Sequence, residues 1–182
     1  MRFEWYDNGQ LKEKVSYKND IKDGLSESYY ENGQLRSKRY YKDGKPDGSW
    51  EDYYENGNLR NKVNYKDGEP KGLIEWYYEN RQLEKKGNYK ETLREDGLWE
   101  FYYKDGQLLE KGNFKDGRKD GTWEYFYKNG HLSSKGNWKD NNPDGLWEEY
   151  HEDGQLQFKG HFKDGEKDGL WESFNEDGSV DT

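Results

Sequence analysis

Apolar and polar positions recur along this chain with a period of 24 residues. Aligned on Asn-Gly or Asp-Gly followed by Gln-Leu, copies begin at Asp7, Glu31, Glu55, Glu79, Lys104, Lys128 and Glu152, with a truncated eighth at Glu176. Counted from those starts, position 5 is always Leu, from Leu11 to Leu156, and position 11 is always aromatic, from Tyr17 to Phe162. Position 20 is usually Trp (Trp50, Trp99, Trp123, Trp147, Trp171), and position 23 is always Tyr or Phe. Two clusters of Asn, Asp and Gly separate runs of six to eight residues rich in aromatics, which reads as strand, turn, strand, turn. The copy that begins at Glu79 has 25 residues, and its extra residue, within Glu91, Thr92, Leu93, Arg94 and Glu95, is expected in a loop.

A two-residue type I′ turn at positions 2 and 3, which Asn-Gly favours, sets a checkable register. Position 21, Glu in every copy, then falls opposite position 8, Lys in every copy; the later rungs join Glu100, Glu124 and Glu148 with Lys111, Lys135 and Lys159. Opposite charges across strands stabilise such a pairing. Position 20 falls opposite position 9, which is Gly112, Gly136 or Gly160 in the later copies, so a large ring can lie over bare backbone. Side chains alternate between faces, which puts Leu at 5, the aromatic at 11, Trp at 20 and the Tyr-rich position 24 on one side. Glu at 21, Lys at 8 and 12, and the ring at 23 take the other. The expected fold is all-β: one elongated, single-layer antiparallel meander of tandem hairpins, twisted or curled, of about 14 to 15 strands. It is read as one repeat domain over 1–182, with a partial copy at 1–6, full copies at 7–30, 31–54, 55–78, 79–103, 104–127, 128–151 and 152–175, and a truncated one at 176–182.

Composition at first pulls the other way. Leu, Ile, Val and Phe number only 26 of 182 residues and Ala is absent, a balance usually found in disordered chains. The 8 Trp and 17 Tyr decide for order, because so many large rings gain by leaving water. Without Cys, disulfides, thiol nucleophiles and zinc-thiolate sites are excluded. The net charge of -9 argues against a sequence-independent grip on nucleic acid, and no apolar stretch reaches the roughly 20 residues of a membrane-spanning helix. Met1 falls in mid-strand, with Trp5 and Tyr6 at positions 23 and 24. Read as the native start it implies a cytoplasmic protein; read as the remnant of leader removal, an exported or envelope-associated one.

Candidate chemistry is thin. Asp140, Asn142, Asp144 and Gly145 follow the first half of a calcium-binding loop, but its twelfth position is His151 where a bidentate Glu belongs, and the spacing is the template of the second turn. His131, His151 and His161 occupy three different repeat positions and form no ligand row. Ser133 and Ser134 have no base and orienting acid that the repeat would hold near them. No catalytic residue, cofactor or metal is therefore expected. The Lys rows read as a charge-neutralised ladder rather than a lipid-binding stripe.

The stretch Lys111 to Gly130 closely resembles the bacterial variant of the MORN repeat, and the resemblance covers nearly the whole chain. Among such proteins it looks most like the YwqK-type antitoxins. Departures are Ser26 and Ile74 in place of Trp, Arg81 in place of the turn Gly, and Thr92 to Asp96 without Asp-Gly. The resemblance implies a non-enzymatic scaffold that binds a protein, basic or toxin-like, which it neutralises by occlusion; self-association is a second use of its surface. Partner contacts are assigned to the aromatic face: Trp50, Trp99, Trp123, Trp147, Trp171, Tyr103 and Tyr127. The competing reading is an envelope or membrane-associated module that binds lipid headgroups or glycans.

Overall fold

The computed structural model describes residues 1–90, 94–175 and 177–181. Two compact units divide the chain, Met1–Leu93 and Arg94–Thr182. The first holds β1 (Arg2–Trp5), β2 (Leu11–Lys18), β3 (Ile21–Tyr29), β4 (Leu35–Lys42), β5 (Lys45–Tyr53), β6 (Leu59–Lys66), β7 (Glu69–Pro70), β8 (Leu73–Tyr77) and β9 (Leu83–Lys90). The second holds β10 (Arg94–Tyr102), β11 (Leu108–Lys115), β12 (Arg118–Phe126), β13 (Leu132–Lys139), β14 (Asn142–Tyr150), β15 (Leu156–Lys163) and β16 (Glu166–Ser173). Within each unit successive strands pair antiparallel, so the fold is the expected all-β meander of tandem hairpins. The described residues form 16 strands rather than 14 or 15, because Lys71 and Gly72 interrupt one strand and leave β7 and β8 as separate pieces on β6. Of the expected loop at Glu91 to Glu95, Glu91, Thr92 and Leu93 lie outside the described residues, while Arg94 and Glu95 open β10.

The expected register is present. Glu27 pairs with Lys14 and Lys38, and Glu51 with Lys38 and Lys62. In the second unit Glu100 pairs with Lys111, Glu124 with Lys111 and Lys135, and Glu148 with Lys135 and Lys159. Apart from Lys14, which faces Phe3 on β1, these ladder residues face an opposite charge on each described neighbouring strand, and one Glu can serve two lysines: Glu124 lies 3.0 Å from Lys111 Nζ and 3.6 Å from Lys135 Nζ.

The turn that produces this register is not the expected one. At Asp7-Asn8-Gly9 the Gly9 N–H donates to the Tyr6 carbonyl and the Tyr6 N–H to the Gln10 carbonyl, with Gly9 at φ 82°. That is a three-residue loop, a turn closed by a left-handed residue, and it recurs at Gly33, Gly57, Gly106, Gly130 and Gly154. Two-residue turns lie instead at the other end of the hairpins: Lys42 pairs with Lys45 across Asp43 (φ 48°) and Gly44 (φ 81°), and Lys115 with Arg118 across Asp116 and Gly117. The longer loop would shift the pairing by one residue, but a bulge one step later restores it. Position 6 is the extra residue: Tyr29 faces Leu35, while Ser28 faces Ser37.

The bulge also corrects the face assigned to Leu at position 5. Leu35, Leu59, Leu108 and Leu156 pair with the rings at position 23, Tyr29, Tyr53, Tyr102 and Tyr150. Directly paired residues share a face, and Tyr29, Tyr53, Tyr102 and Tyr150 donate their hydroxyls to Glu27, Glu51, Glu100 and Glu148 on the ladder side. Leu at 5 therefore belongs with the ladder, not with the Trp stripe.

Neighbouring copies are also tied at their ends. The position-24 hydroxyls of Tyr6, Tyr30, Tyr54, Tyr103 and Tyr127 donate to the carbonyls of Tyr29, Tyr53, Tyr77, Phe126 and Tyr150, one repeat on. Asn8, Asn32 and Asn129 do the same from the loop, donating to Glu31, Glu55 and Glu152. Each hairpin alone would be marginal, and these bonds make its neighbour part of its own stability.

Candidate functional site

On the ring face of the second unit the aromatic side chains consume one another. Positions 20 and 22 form a zigzag in which Trp99, Phe101, Trp123, Tyr125 and Trp147 follow with centroids 6.1, 6.3, 6.3 and 6.2 Å apart. Position 11 adds edge contacts: Phe114 lies 5.0 Å from Trp123, Phe162 5.6 Å from Trp147 and 5.1 Å from Trp171. Edge-to-face geometry of this kind adds to what area burial alone provides. Trp99 and Trp123 are wholly buried. The glycines at position 9 make this possible, since a Cβ on Gly112 would stand 2.2 Å from the Trp123 ring and one on Gly136 1.9 Å from Trp147.

Lys119 completes the cover of Trp123 and was not legible as special in the sequence. Its Nζ lies 3.7 Å from the Trp123 ring centroid and 5.2 Å from that of Trp138, forms an ion pair with Glu110 at 3.0 Å, and donates to the Tyr125 hydroxyl at 3.1 Å. Burial, with the nearby Glu110 charge, pushes the Tyr125 hydroxyl well above its ordinary range. The only signal in the sequence is that position 16 is Lys in this copy and Pro or Glu in its neighbours, Pro143 and Glu95.

Of the residues assigned to a partner, Trp99 and Trp123 thus lie in the core and offer a partner no surface. Trp50, Trp147 and Trp171 keep part of their area in solvent. Tyr103 and Tyr127 spend their hydroxyls on the cross-repeat bonds to Phe126 and Tyr150. In the ladder, burial pushes the Glu27 and Glu51 carboxyls up, but bonds from Lys14 and Tyr29, and from Tyr53 and Ser49, outweigh it and hold both below the ordinary value. Burial and then the bond to Glu148 push the Tyr150 hydroxyl up to about 12.

The first unit fills the same face differently. Among its described residues the wholly or nearly buried side chains are Ile74, Val15, Ser26 and Ser37, with no ring among them. Trp50 packs 5.5 Å from Tyr41 and 4.6 Å from Tyr65, with the Arg39 guanidinium 4.7 Å from its ring. Beside Ser26, where most copies have Trp, a cavity of about 500 Å³ opens. Five cations line it, Lys12, Lys22, Arg36, Arg39 and Arg60, against the carboxylates of Glu4, Glu13 and Asp52.

The remaining sequence candidates fall into structural roles. Asp140 and Asn141 are the two left-handed residues of a tight turn, and Asn142 and Asp144 continue into β14. His131 Nδ1 is 2.7 Å from the Glu152 carbonyl, and His151 Nε2 3.4 Å from that of Phe174. Among the described residues no three His, Asp or Glu side chains come together as a metal site. Arg81 replaces the loop glycine at φ 73°, a backbone costly for a non-glycine residue, and its Nε donates to Asn58 Oδ1 at 2.8 Å.

No curated protein matches the chain. A family model, MORN repeat variant, matches it seven times, at 2–19, 22–43, 46–67, 70–91, 95–116, 119–140 and 143–164. Most of these stretches hold one three-residue loop with its two flanking strands and end at the tight turn, so the matches follow the hairpins seen in the fold. Repeats of this kind generally serve as modules for protein or membrane binding, and are typically non-enzymatic scaffolds. With seven matched hairpins that take in most of its length, the chain belongs to the MORN repeat variant family.

Proposed function

We propose that this chain is a non-enzymatic scaffold that binds a protein, and that the partner is a basic, toxin-like protein which it occludes in the manner of an antitoxin or immunity protein. Charge distribution carries the reading. Residues 1–93 hold 18 basic and 18 acidic side chains, whereas 94–182 hold 12 and 21, so the whole net charge of -9 belongs to the second unit. The rings of that unit are largely engaged with one another, and its 21 acidic against 12 basic side chains give it an excess of carboxylates. A field of one sign steers an oppositely charged partner and raises its rate of encounter. The half-exposed Trp147 and Trp171 are the ring anchors on this reading.

The test combines capture and charge. The full chain, immobilised and washed at moderate salt, is expected to retain one basic protein in stoichiometric amount, and co-expression with the chain is expected to relieve that protein's toxicity. Neutralising Glu152, Asp164 and Glu166 to Gln, Asn and Gln should slow association several-fold and reduce its salt dependence. Retention of lipid vesicles or wall polysaccharide in place of a protein would refute the proposal and favour the envelope module.

A further inference from the structure

We propose that the cavity of the first unit is a binding site for a small phosphomonoester, a role beyond protein binding. The cavity has a cause in the repeat. Position 20 is Ser26 rather than Trp, position 9 of the next copy is Arg39 rather than Gly, and Ser28 at position 22 stands where the second unit has Phe101 and Tyr125. At about 500 Å³ it has the volume of a site for a whole small molecule.

Its charge selects the ligand. Among the described residues, Arg39 is the one of the five lining cations with an ion pair, to Asp52 at 3.0 Å. Lys12, Arg36 and Lys22 lie over the rings of Tyr6, Tyr30 and Tyr41, and Arg60 over Tyr54, contacts that leave their N–H groups available. Five cations against Glu4, Glu13 and Asp52 leave a surplus of two positive charges, in a chain that is otherwise acidic. A phosphomonoester carries about -1.5 to -2 at neutral pH and three acceptor oxygens, so it matches that surplus where a monocarboxylate does not.

A second observation points the same way. Among the described residues, Arg39 Nε is buried with no hydrogen-bond partner, the one charged group among three such atoms; the others are the indole nitrogens of Trp138 and Trp171. The charge of the guanidinium is met in part by Asp52 through Nη2 at 3.0 Å, and the oxygens of an anion at this wall would add contacts to its part-exposed fork. Ser26, 6% exposed, and the hydrogen-bonded pair Ser28 and Ser37, 2.7 Å apart, add hydroxyls for the ester and its alcohol. The guanidinium forks of Arg36, Arg39 and Arg60 suit phosphate oxygens in paired contacts.

Calorimetric titration of the full chain with phenyl phosphate, and with benzoate as the monoanion of the same ring, tests the site. Phenyl phosphate is expected to bind with one site and roughly tenfold or more above benzoate. Two variants locate it. Arg39→Gln should weaken phenyl phosphate roughly tenfold. The double change Val15→Gly with Ser26→Trp installs the Gly and Trp that other copies carry, fills the cavity, and should abolish binding while the chain stays folded by circular dichroism. No binding of phenyl phosphate, equal binding of benzoate, or undiminished binding by the double variant would each overturn the proposal. Sedimentation with phosphatidic acid vesicles in the absence of phenyl phosphate binding would overturn it too, and assign the cations to a membrane surface.

Discussion

The two units put the same hairpin to different use, and the contrast rests on positions 9 and 20. In the second unit Trp99 and Trp123 flank Gly112, and Trp123 and Trp147 flank Gly136. In the first, Val15 faces Ser26, Arg39 faces Ser26 and Trp50, and Val63 faces Trp50. A ring needs the volume that an absent Cβ leaves, so Trp and Gly occur together and build a continuous row. Where position 9 is Val15 or Arg39 and position 20 is Ser26, no ring fills the face and it opens into a cavity with buried serines, while Trp50, set between Arg39 and Val63, stays only half-buried. One unit has turned its aromatic face into core, while the other has kept a concave, cationic surface.

The largest effect should come from the row itself. Trp123→Ala removes a wholly buried ring and is expected to cost about 3 to 5 kcal/mol, whereas Trp50→Ala, at a half-buried ring, should cost less than half as much. Urea unfolding followed by circular dichroism measures both, and equal losses would erase the distinction between the units. Next, Gly136→Ala should cost about 1 to 3 kcal/mol, because its Cβ would meet the Trp147 ring at 1.9 Å and the ring or strand must move. A neutral result would show that the row tolerates the side chains found in the first unit.

A smaller effect should be common to both units. Tyr54→Phe and Tyr127→Phe each delete a cross-repeat hydroxyl bond, at 2.8 and 2.7 Å, and each is expected to cost about 0.5 to 1.5 kcal/mol. Loss confined to one variant would mean that the copies are not coupled alike. The smallest effect is the ladder's dependence on pH. Carboxyls held low in the fold, as at Glu27 and Glu51, stabilise it above their ordinary value of 4.5, and that contribution is lost as pH falls through their lowered values. Tyr150, raised to about 12 from 10.0, contributes fully below pH 10 and loses its contribution as pH climbs toward 12. The denaturation midpoint should therefore be flat between about pH 5 and 10 and fall on both sides. Glu51→Gln should shallow the acid limb, and an unchanged limb would show that the ladder bears little of the stability.

Much of this is legible in the sequence. The pairing of Glu at 21 with Lys at 8 was legible because a charge column and a ring-over-glycine column had to agree on one register, and both did. The turn beneath that register differs from the expected one. Asn-Gly suits a two-residue turn, but here the preceding Asp or Glu joins it in a three-residue loop, and the bulge at position 6 cancels the shift. Two compensating differences leave no trace in the columns further along the strand, so only Leu at 5, next to the bulge, changed face.

What the sequence by itself determined was therefore periodic: strands, the order of hairpins, the ladder, and the family to which the chain belongs. Periodicity suffices because each copy contacts chiefly its neighbours, so a rule that holds in one copy is repeated in the next. Tertiary structure alone decided which rings are core, since the burial of Trp99 and Trp123 depends on contacts from adjacent copies and on the reach of Lys119 over Trp123 and Trp138. It also decided where the array departs from itself. Ser26 and Arg39 are visible as exceptions in the sequence, but the cavity between them exists only because the pleat and the register bring both to one face.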